Sequence, residues 1–230
     1  MNLRIAPMET AHEQAVREIF RATLALGRPF PFSSDGQTDH LAVYEELCVG
    51  WYLDEGADDA AVLVDGDTVA GYAFVCLDVR SYERWQRRAV AGFLRTVLPR
   101  LALRRYPAPV DRFYELRIRD GWRTWRARQR VPVLPHAHVN SVGAGGELPG
   151  RLLADHVDAV CRRAGFTAWS GEINARAGRR TAALDRWGAD VVDRTPNATL
   201  SWLVGAPVER LTIVRRVPAT ERRLLRPAAA

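Results

Sequence analysis

The sequence predicts an α/β fold, a mixed sheet flanked by helices, and three observations carry that reading. Residues 136–165 read as strand, glycine-rich turn and helix. Residues 60–64 and 68–77 flank Asp65-Gly66-Asp67, a short hairpin turn signal. Residues 208–217 alternate with period two, as a half-buried strand does. Strands and helices therefore interleave: β, α, α, β-hairpin, helical insert, β, α, β, α, β, β. The 230 residues and 47% apolar content support a substantial core. Residues 1–218 are read as one domain and 219–230 as a flexible tail rich in Arg, Ala and Pro.

The elements follow in order. Residues 3–7 form the expected first strand. Thr10 to Glu13 reads T-x-x-E, a capping box that opens a helix, with Val16, Ile19, Phe20, Thr23 and Leu24 as its apolar stripe. Residues 27–36, rich in Pro, Gly, Ser and Phe, form a loop long enough to suggest function. Leu41, Tyr44, Cys48 and Trp51 mark a second helix, and the hairpin comes next. Trp85, Ala89, Phe93, Val97 and Leu101 mark an amphipathic helix, and Tyr114, Ile118, Trp122 and Trp125 another. Pro107 and Pro109 separate the two, which make up a helical insert over 80–130. The fourth strand spans 136–142, and Leu152, Leu153, His156, Val157, Val160 and Cys161 repeat at helical spacing after it. A strand over 166–173 and a short helix over 179–187, ending at Gly188, follow. Residues 191–193 and 200–204 read as strand pieces before the last strand.

Charge is unevenly placed. The chain has no lysine, so all 33 of its basic Lys/Arg residues are arginine. Residues 80–130 hold 15 Arg against Glu83, Asp111, Glu115 and Asp120, while the rest holds 18 Arg against 23 acids. A solvated helix face is the simplest reading of the insert. A lid over a substrate, walled by Trp85, Trp122 and Trp125, is a second. Nucleic-acid binding is a third, because arginine suits phosphate and aromatics interleave, although no nucleic-acid motif stands in the chain. Cys48, Cys76 and Cys161 are isolated in apolar patterns, which suits free thiols in a reducing compartment. No apolar run approaches the roughly 18–20 residues of a membrane helix, and the N-terminus opens on a strand rather than a signal peptide. A cytoplasmic protein without a membrane partner is expected.

The glycine turn narrows the chemistry. Gly143, Gly145, Gly146 and Gly150 crowd it, and Pro149 suits a first helical position. A turn that opens onto a helix N-terminus presents free N–H groups and the positive end of the helix dipole. It points to a phosphate- or pyrophosphate-bearing ligand at 143–151, or it simply reverses the chain. Without lysine there is no Walker A loop and no Schiff-base chemistry. The turn does not read G-x-G-x-x-G, which argues against a nicotinamide cofactor. Coenzyme A remains among the common pyrophosphate ligands.

The element order, with a glycine turn after the fourth strand, resembles the GNAT superfamily of acyl-CoA-dependent N-acyltransferases over about residues 3–217. His136-Ala137-His138-Val139-Asn140 is similar to a subgroup whose fourth strand reads H-x-H-x-(D/N), and residues 188–197 are similar to the family's G-F-x-V-V-x-R segment. The resemblance implies a mixed, mostly antiparallel sheet in which the fourth and fifth strands splay apart, with the helical insert between strands 3 and 4. It implies acetyl-CoA as cosubstrate, its pantetheine arm in the gap and its pyrophosphate on the turn. Val142, Gly145, Gly146, Gly150, Arg151 and Asn174 would hold it. Leu184 stands where many members carry a tyrosine that protonates the leaving thiolate.

Acyl transfer to an amine needs a polarised carbonyl, a base and room for the thiolate. Glu172, near the end of the fifth strand, is the first candidate base; an exposed strand-end carboxylate is the alternative. His138 is the second. It shares a strand face with His136, and an imidazole titrates in the useful range; a packed strand histidine is the alternative. Asp78 and Tyr82 are candidates for an acceptor pocket. Lacking Cys partners or H-E-x-x-H spacing, the two histidines are not read as a metal site. There is no G-x-S-x-G nucleophile motif. The expected function is transfer of an acetyl or other acyl group to an amine of a small molecule or peptide. A non-catalytic acyl-CoA-binding protein and a nucleic-acid-binding module are the alternatives, and a homodimer through the insert or last strand stays open.

Overall fold

The computed structural model describes residues 2–26, 39–129, 133–142, 148–176, 184 and 187–218. Its strands are β1 (Leu3–Pro7), β2 (Ala61–Asp65), β3 (Thr68–Cys76), β4 (His136–Ser141), β5 (Ala168–Arg176), β6 (Ala189–Pro196) and β7 (Val208–Arg216). Its helices are α1 (Glu13–Leu24), α2 (Ala42–Asp54), α3 (Val79–Ala102), α4 (Ala108–Arg128), α5 (Leu148–Arg163) and α6 (Ala198–Val204). The strands form one sheet in the order β1-β2-β3-β4-β5-β7-β6. Every neighbouring pair is antiparallel except β4–β5, which is parallel. This is the mixed, mostly antiparallel sheet flanked by helices that the sequence implied.

Strand alternation divides the core between two faces. In β3, Tyr72 and Phe74 point into an aromatic cluster with Phe20, Tyr44, Tyr52 and Phe113, contributed by α1, α2 and α4. Ala73 and Val75 point the other way, onto Leu153, Val157, Val160 and Cys161 of α5. Helix α2 buries residues around most of its circumference because it packs against α1, α3 and β3. A buried Glu45 is tolerated there because Arg17 and Arg21 both donate to its carboxylate.

The insert is a pair of long helices joining β3 to β4, strands that are themselves adjacent. Phe93, Val97, Val110, Phe113 and Tyr114 tie the pair to the core. The tryptophans of α4 do otherwise. Trp122 and Trp125 are 56% and 54% exposed and stack on each other with ring centroids 5.0 Å apart. They face solvent. No helix among the described residues is long and apolar enough to cross a membrane.

Two local expectations are corrected. Thr10 does not open α1; Thr10–His12 is a 3-10 turn in which the Glu9 N–H donates to Nδ1 of His12, 3.0 Å away. Residues 200–204 are helical rather than extended. The Asn197 side chain accepts from the Leu200 N–H, and Asp120 of α4 accepts from the N–H groups of Ala198 and Thr199 and the Thr199 hydroxyl. A buried carboxylate on the positive end of a helix satisfies donors that would otherwise be orphaned. Gly205, at φ +68°, ends the helix in the left-handed region. The helix expected over 179–187 lies outside the described residues apart from Leu184 and Trp187, and the 27–36 loop lies outside them altogether.

Helix α5 is fastened to the far half of the sheet by a buried polar knot. Asp158 accepts from the Trp169 indole at 2.7 Å and from two Arg215 nitrogens at 3.1 and 2.8 Å.

Candidate active site

Strands β4 and β5 pair at only two positions, His136 with Ser170 and Ala137 with Gly171. Past them, β4 continues along β3 to Ser141 and β5 along β7 to Arg176. A gap therefore opens in the middle of the sheet. The Val142 N–H donates to the Ala70 carbonyl at 2.9 Å. Alternation in the antiparallel ladder then directs the N–H groups of His138 and Asn140 to β3, and those of Val139 and Ser141 into the gap. Main-chain donors so placed can stabilise charge developing on a carbonyl oxygen.

On the α1–α4 face, the two sides of the gap carry His136, His138 and Asn140 from β4, and Glu172 and Asn174 from β5. The structure thus brings His138, Glu172 and Asn174 to one face. Glu172 lies between two guanidinium groups: Arg128 Nε is 3.2 Å from one carboxylate oxygen and Arg210 Nε is 3.6 Å from the other. Its side chain keeps 29% exposure, so solvent still reaches it. Burial raises the carboxyl, but Arg128 and Arg210 outweigh it and hold the group down at about 2. Glu172 is an anion throughout the neutral range.

His138 is packed among Phe20, Tyr52, Tyr72 and Phe74. Burial pulls it down to about 4, so it is neutral at pH 7. The Asn140 amide nitrogen donates to the Tyr72 hydroxyl at 2.7 Å and lies 3.1 Å from Nε2 of His138, which accepts from it in the Nδ1–H tautomer. His136 stacks edge-on against Tyr82, its Nε2 is buried without a partner, and burial followed by Arg128 lowers it to about 3. Tyr82 is thus a core residue, and Asp78 caps α3 by accepting from the Ser81 N–H at 2.9 Å. Leu184 is buried against the β6–β7 end of the sheet and offers no acid.

At the other end of the gap, Val142 follows β4 directly. Gly150 and Arg151 lie in the first turn of α5, which carries no acidic residue. A side chain at Gly150 would meet the Trp187 ring at 2.7 Å, so this glycine permits a close approach. Arg151 is 76% exposed, with Asp155, 3.9 Å away, as its one ion partner among the described residues. Gly145 and Gly146 lie outside the described residues. Among the described residues, no group of three or more His, Cys, Asp or Glu side chains is gathered to hold a metal.

Sequence reasoning missed Arg128 and Arg210, and with them Arg117. In a chain with 33 arginines, charge alone singles out none of them. One usable signal exists: Arg117, Thr124 and Arg128 recur at helical spacing and share one face of α4.

No protein-family model matches the chain, and no curated protein sequence matches it. Solved structures do. The chain is similar to yncA of Salmonella typhimurium, described as a candidate acetyltransferase and solved with its cofactor acetyl-CoA, with TM-score 0.52 and 16% identity over 96% of this chain and 97% of that one. It is similar to a GCN5-related N-acetyltransferase from Kribbella flavida, with TM-score 0.50 and 18% identity over 93% of this chain and 97% of that one. It is also similar to an agmatine N-acetyltransferase, with TM-score 0.53 and 14% identity over 94% of this chain and all of that one. This is the GNAT fold. At these identities the likeness is one of architecture. In the GNAT fold of this chain, the parted strands are β4 and β5, and the helix after the gap is α5.

Proposed function

We propose that the protein is an acyl-CoA-dependent N-acyltransferase, using acetyl-CoA and an amine of a small molecule or peptide. The observation that carries this reading is the parting of β4 from β5 after two residue pairs, with Glu172 beside the opening. The gap takes the pantetheine arm. The α5 N-terminus, Arg151 and the turn that includes Gly145 and Gly146 meet the pyrophosphate, with Val142, Gly150 and Asn174 shaping the slot. Val139 or Ser141 donates its N–H to the thioester oxygen.

Glu172 attracts the acceptor ammonium and aligns it. A carboxylate near 2 is a weak base for a free ammonium. An ammonium has no lone pair, so the acceptor first gives one proton to solvent and attacks as the neutral amine. Once the C–N bond has formed, the nitrogen carries an extra, far more acidic proton that a weak base suffices to take, while the C–S bond breaks and the CoA thiolate leaves. His138 is the second candidate for that proton, which it can take on Nε2 only by giving up the hydrogen bond from Asn140. Positioning in the gap supplies much of the rate, so the missing tyrosine at Leu184 does not bar turnover.

Calorimetric titration with CoA and acetyl-CoA tests the slot. Micromolar binding is expected, weakened about tenfold or more by Arg151→Glu, a change on an exposed side chain that removes one charged phosphate contact. Absence of CoA binding overturns the reading. Amine-dependent release of CoA thiol separates an enzyme from a protein that only binds the thioester. Glu172→Gln is expected to lower kcat by about 100-fold, in the range of lost acid–base groups, with CoA affinity unchanged.

A further inference from the structure

Beside Glu172 the positive charge exceeds what the nearby carboxylates balance. Arg128 is taken up by Glu172 and by Gln86, whose amide oxygen it reaches at 3.2 Å. Arg210, 13% exposed, spans Glu172 and the Thr124 hydroxyl. Asp120 is consumed at the start of α6 by three hydrogen bonds. Arg117 has no such partner. Its guanidinium lies over the Tyr44 ring, 4.4 Å from the centroid, and no carboxylate among the described residues comes within ion-pair distance. Arg117, Thr124 and Arg128 fall within about 40° of one another around α4; Thr124 and Arg128 meet Arg210 of β7 and Glu172 of β5, while the Arg117 guanidinium reaches Tyr44 of α2. Burial, and after it Arg210, pulls Arg117 down to about 9. A half-buried cation held this way gains most from an anion that arrives with a ligand.

We propose that Arg117, with Arg210 behind it, is an anion subsite of the acceptor pocket, and that the acceptor is an amine that also carries a carboxylate. This rests on the acyltransferase reading, which identifies Glu172 as the point where the amine binds. The ammonium goes to Glu172 and the carboxylate to Arg117, whose planar fork matches it. Arg117 lies about 10 Å along the helix axis from Thr124, the residue that holds Arg210. An acceptor with several bonds between amine and carboxylate therefore fits better than an α-amino acid. The Tyr44 ring keeps the guanidinium oriented before the ligand arrives.

The test compares γ-aminobutyrate and ε-aminohexanoate with the corresponding amino alcohols, in acetyl-CoA-dependent thiol release. The carboxylated amines are expected to have kcat/KM about tenfold to a hundredfold higher, mostly through KM, as one charged hydrogen-bonded contact allows. Arg117→Met should erase that ratio, lowering kcat/KM for the carboxylated amines far more than for the amino alcohols, while Arg117→Lys, which keeps the charge, should retain part of it. Equal kcat/KM for acids and alcohols overturns the proposal, as does a ratio that survives in Arg117→Met. So does a preference for succinyl-CoA over acetyl-CoA that vanishes in Arg117→Met, because the anion would then belong to the acyl group. Calorimetric binding of γ-aminobutyrate to the wild type, lost in Arg117→Met, is read without turnover. If no amine is acylated but this binding is seen, the acyltransferase reading fails and the anion subsite stands; if neither is seen, both fail.

Discussion

His136 and His138 show how strongly surroundings change what a residue type can do. On sequence, two histidines on one strand face suggest proton transfer near neutrality. Buried among aromatic rings, both are held neutral, at about 3 and about 4. Their measurable consequence is in stability. The unfolded chain protonates each near 6.5, whereas the folded chain does not until well below that. Lowered folded values mean that the unfolded state binds more protons as the pH falls, so the contribution is full above 6.5 and is lost on acidification toward 4 and 3. With two such groups, their share of the slope approaches about 2.7 kcal/mol per pH unit between pH 6 and 4.5. His136→Phe, which keeps a ring and removes an unpartnered nitrogen, is expected to cut that slope by about 1.4 kcal/mol per pH unit. Denaturant titrations at several pH values measure it, and an unchanged slope would show that His136 is protonated in the native state. Glu172 works in a lower window: its depressed carboxyl stabilises the fold above about 4.5 and loses that contribution toward about 2. As a residue it was legible as a candidate base; that two arginines hold it was not, because Arg128 and Arg210 stand 44 and 38 positions away in sequence.

At the scale of elements, the signals that read well were local. The Asp65-Gly66-Asp67 hairpin became β2 and β3, and the apolar stripes of 85–101 and 114–125 became α3 and α4. What failed depended on distant partners. Residues 200–204 form a short apolar run that fits a strand or a helix turn equally well. Asp120, from another helix, decides in favour of α6. The same logic governs the placing of α5. Its apolar stripe says that it packs on the sheet, but its hold on β5 and β7 comes from Asp158 meeting Trp169 and Arg215. Asp158→Ala leaves Arg215 and the indole N–H without that acceptor in a buried setting. Loss of one partner of such a pair is expected to cost about 3–5 kcal/mol. Because α5 carries the proposed pyrophosphate site, CoA affinity should fall as well. Asp158→Asn, which keeps an acceptor oxygen, should recover part of the stability in equilibrium unfolding. Equal stability of wild type and Asp158→Ala would show that Asp155, 3.7 Å from Arg215, replaces the lost partner.

Over the whole molecule, the decisive feature is a seam. Among the described residues six strand pairings tie the sheet together, and the one parallel pairing, β4–β5, holds at just two positions before the strands diverge. Element order and the glycine turn made this arrangement readable only by way of a family resemblance, since no single strand encodes where its neighbour departs. The length of the pairing depends on both strands and on the helices packed over them. An open seam also makes the two halves of the sheet, β1–β4 and β5–β7, depend on α5 and α4 for much of their contact. A ligand that fills the gap should therefore stabilise the whole fold. Binding to the native state alone at 100 times Kd adds about 2.7 kcal/mol. For a chain of this length, each kcal/mol moves Tm by roughly 2–4 °C, so saturating CoA should raise Tm by about 5–10 °C. The rise should grow with the logarithm of CoA concentration and shrink in Arg151→Glu, and adenosine alone should give little of it, because it lacks the arm that enters the seam. A full shift with adenosine would mean that the ligand sits on the surface of α5 and leaves the gap between β4 and β5 unfilled.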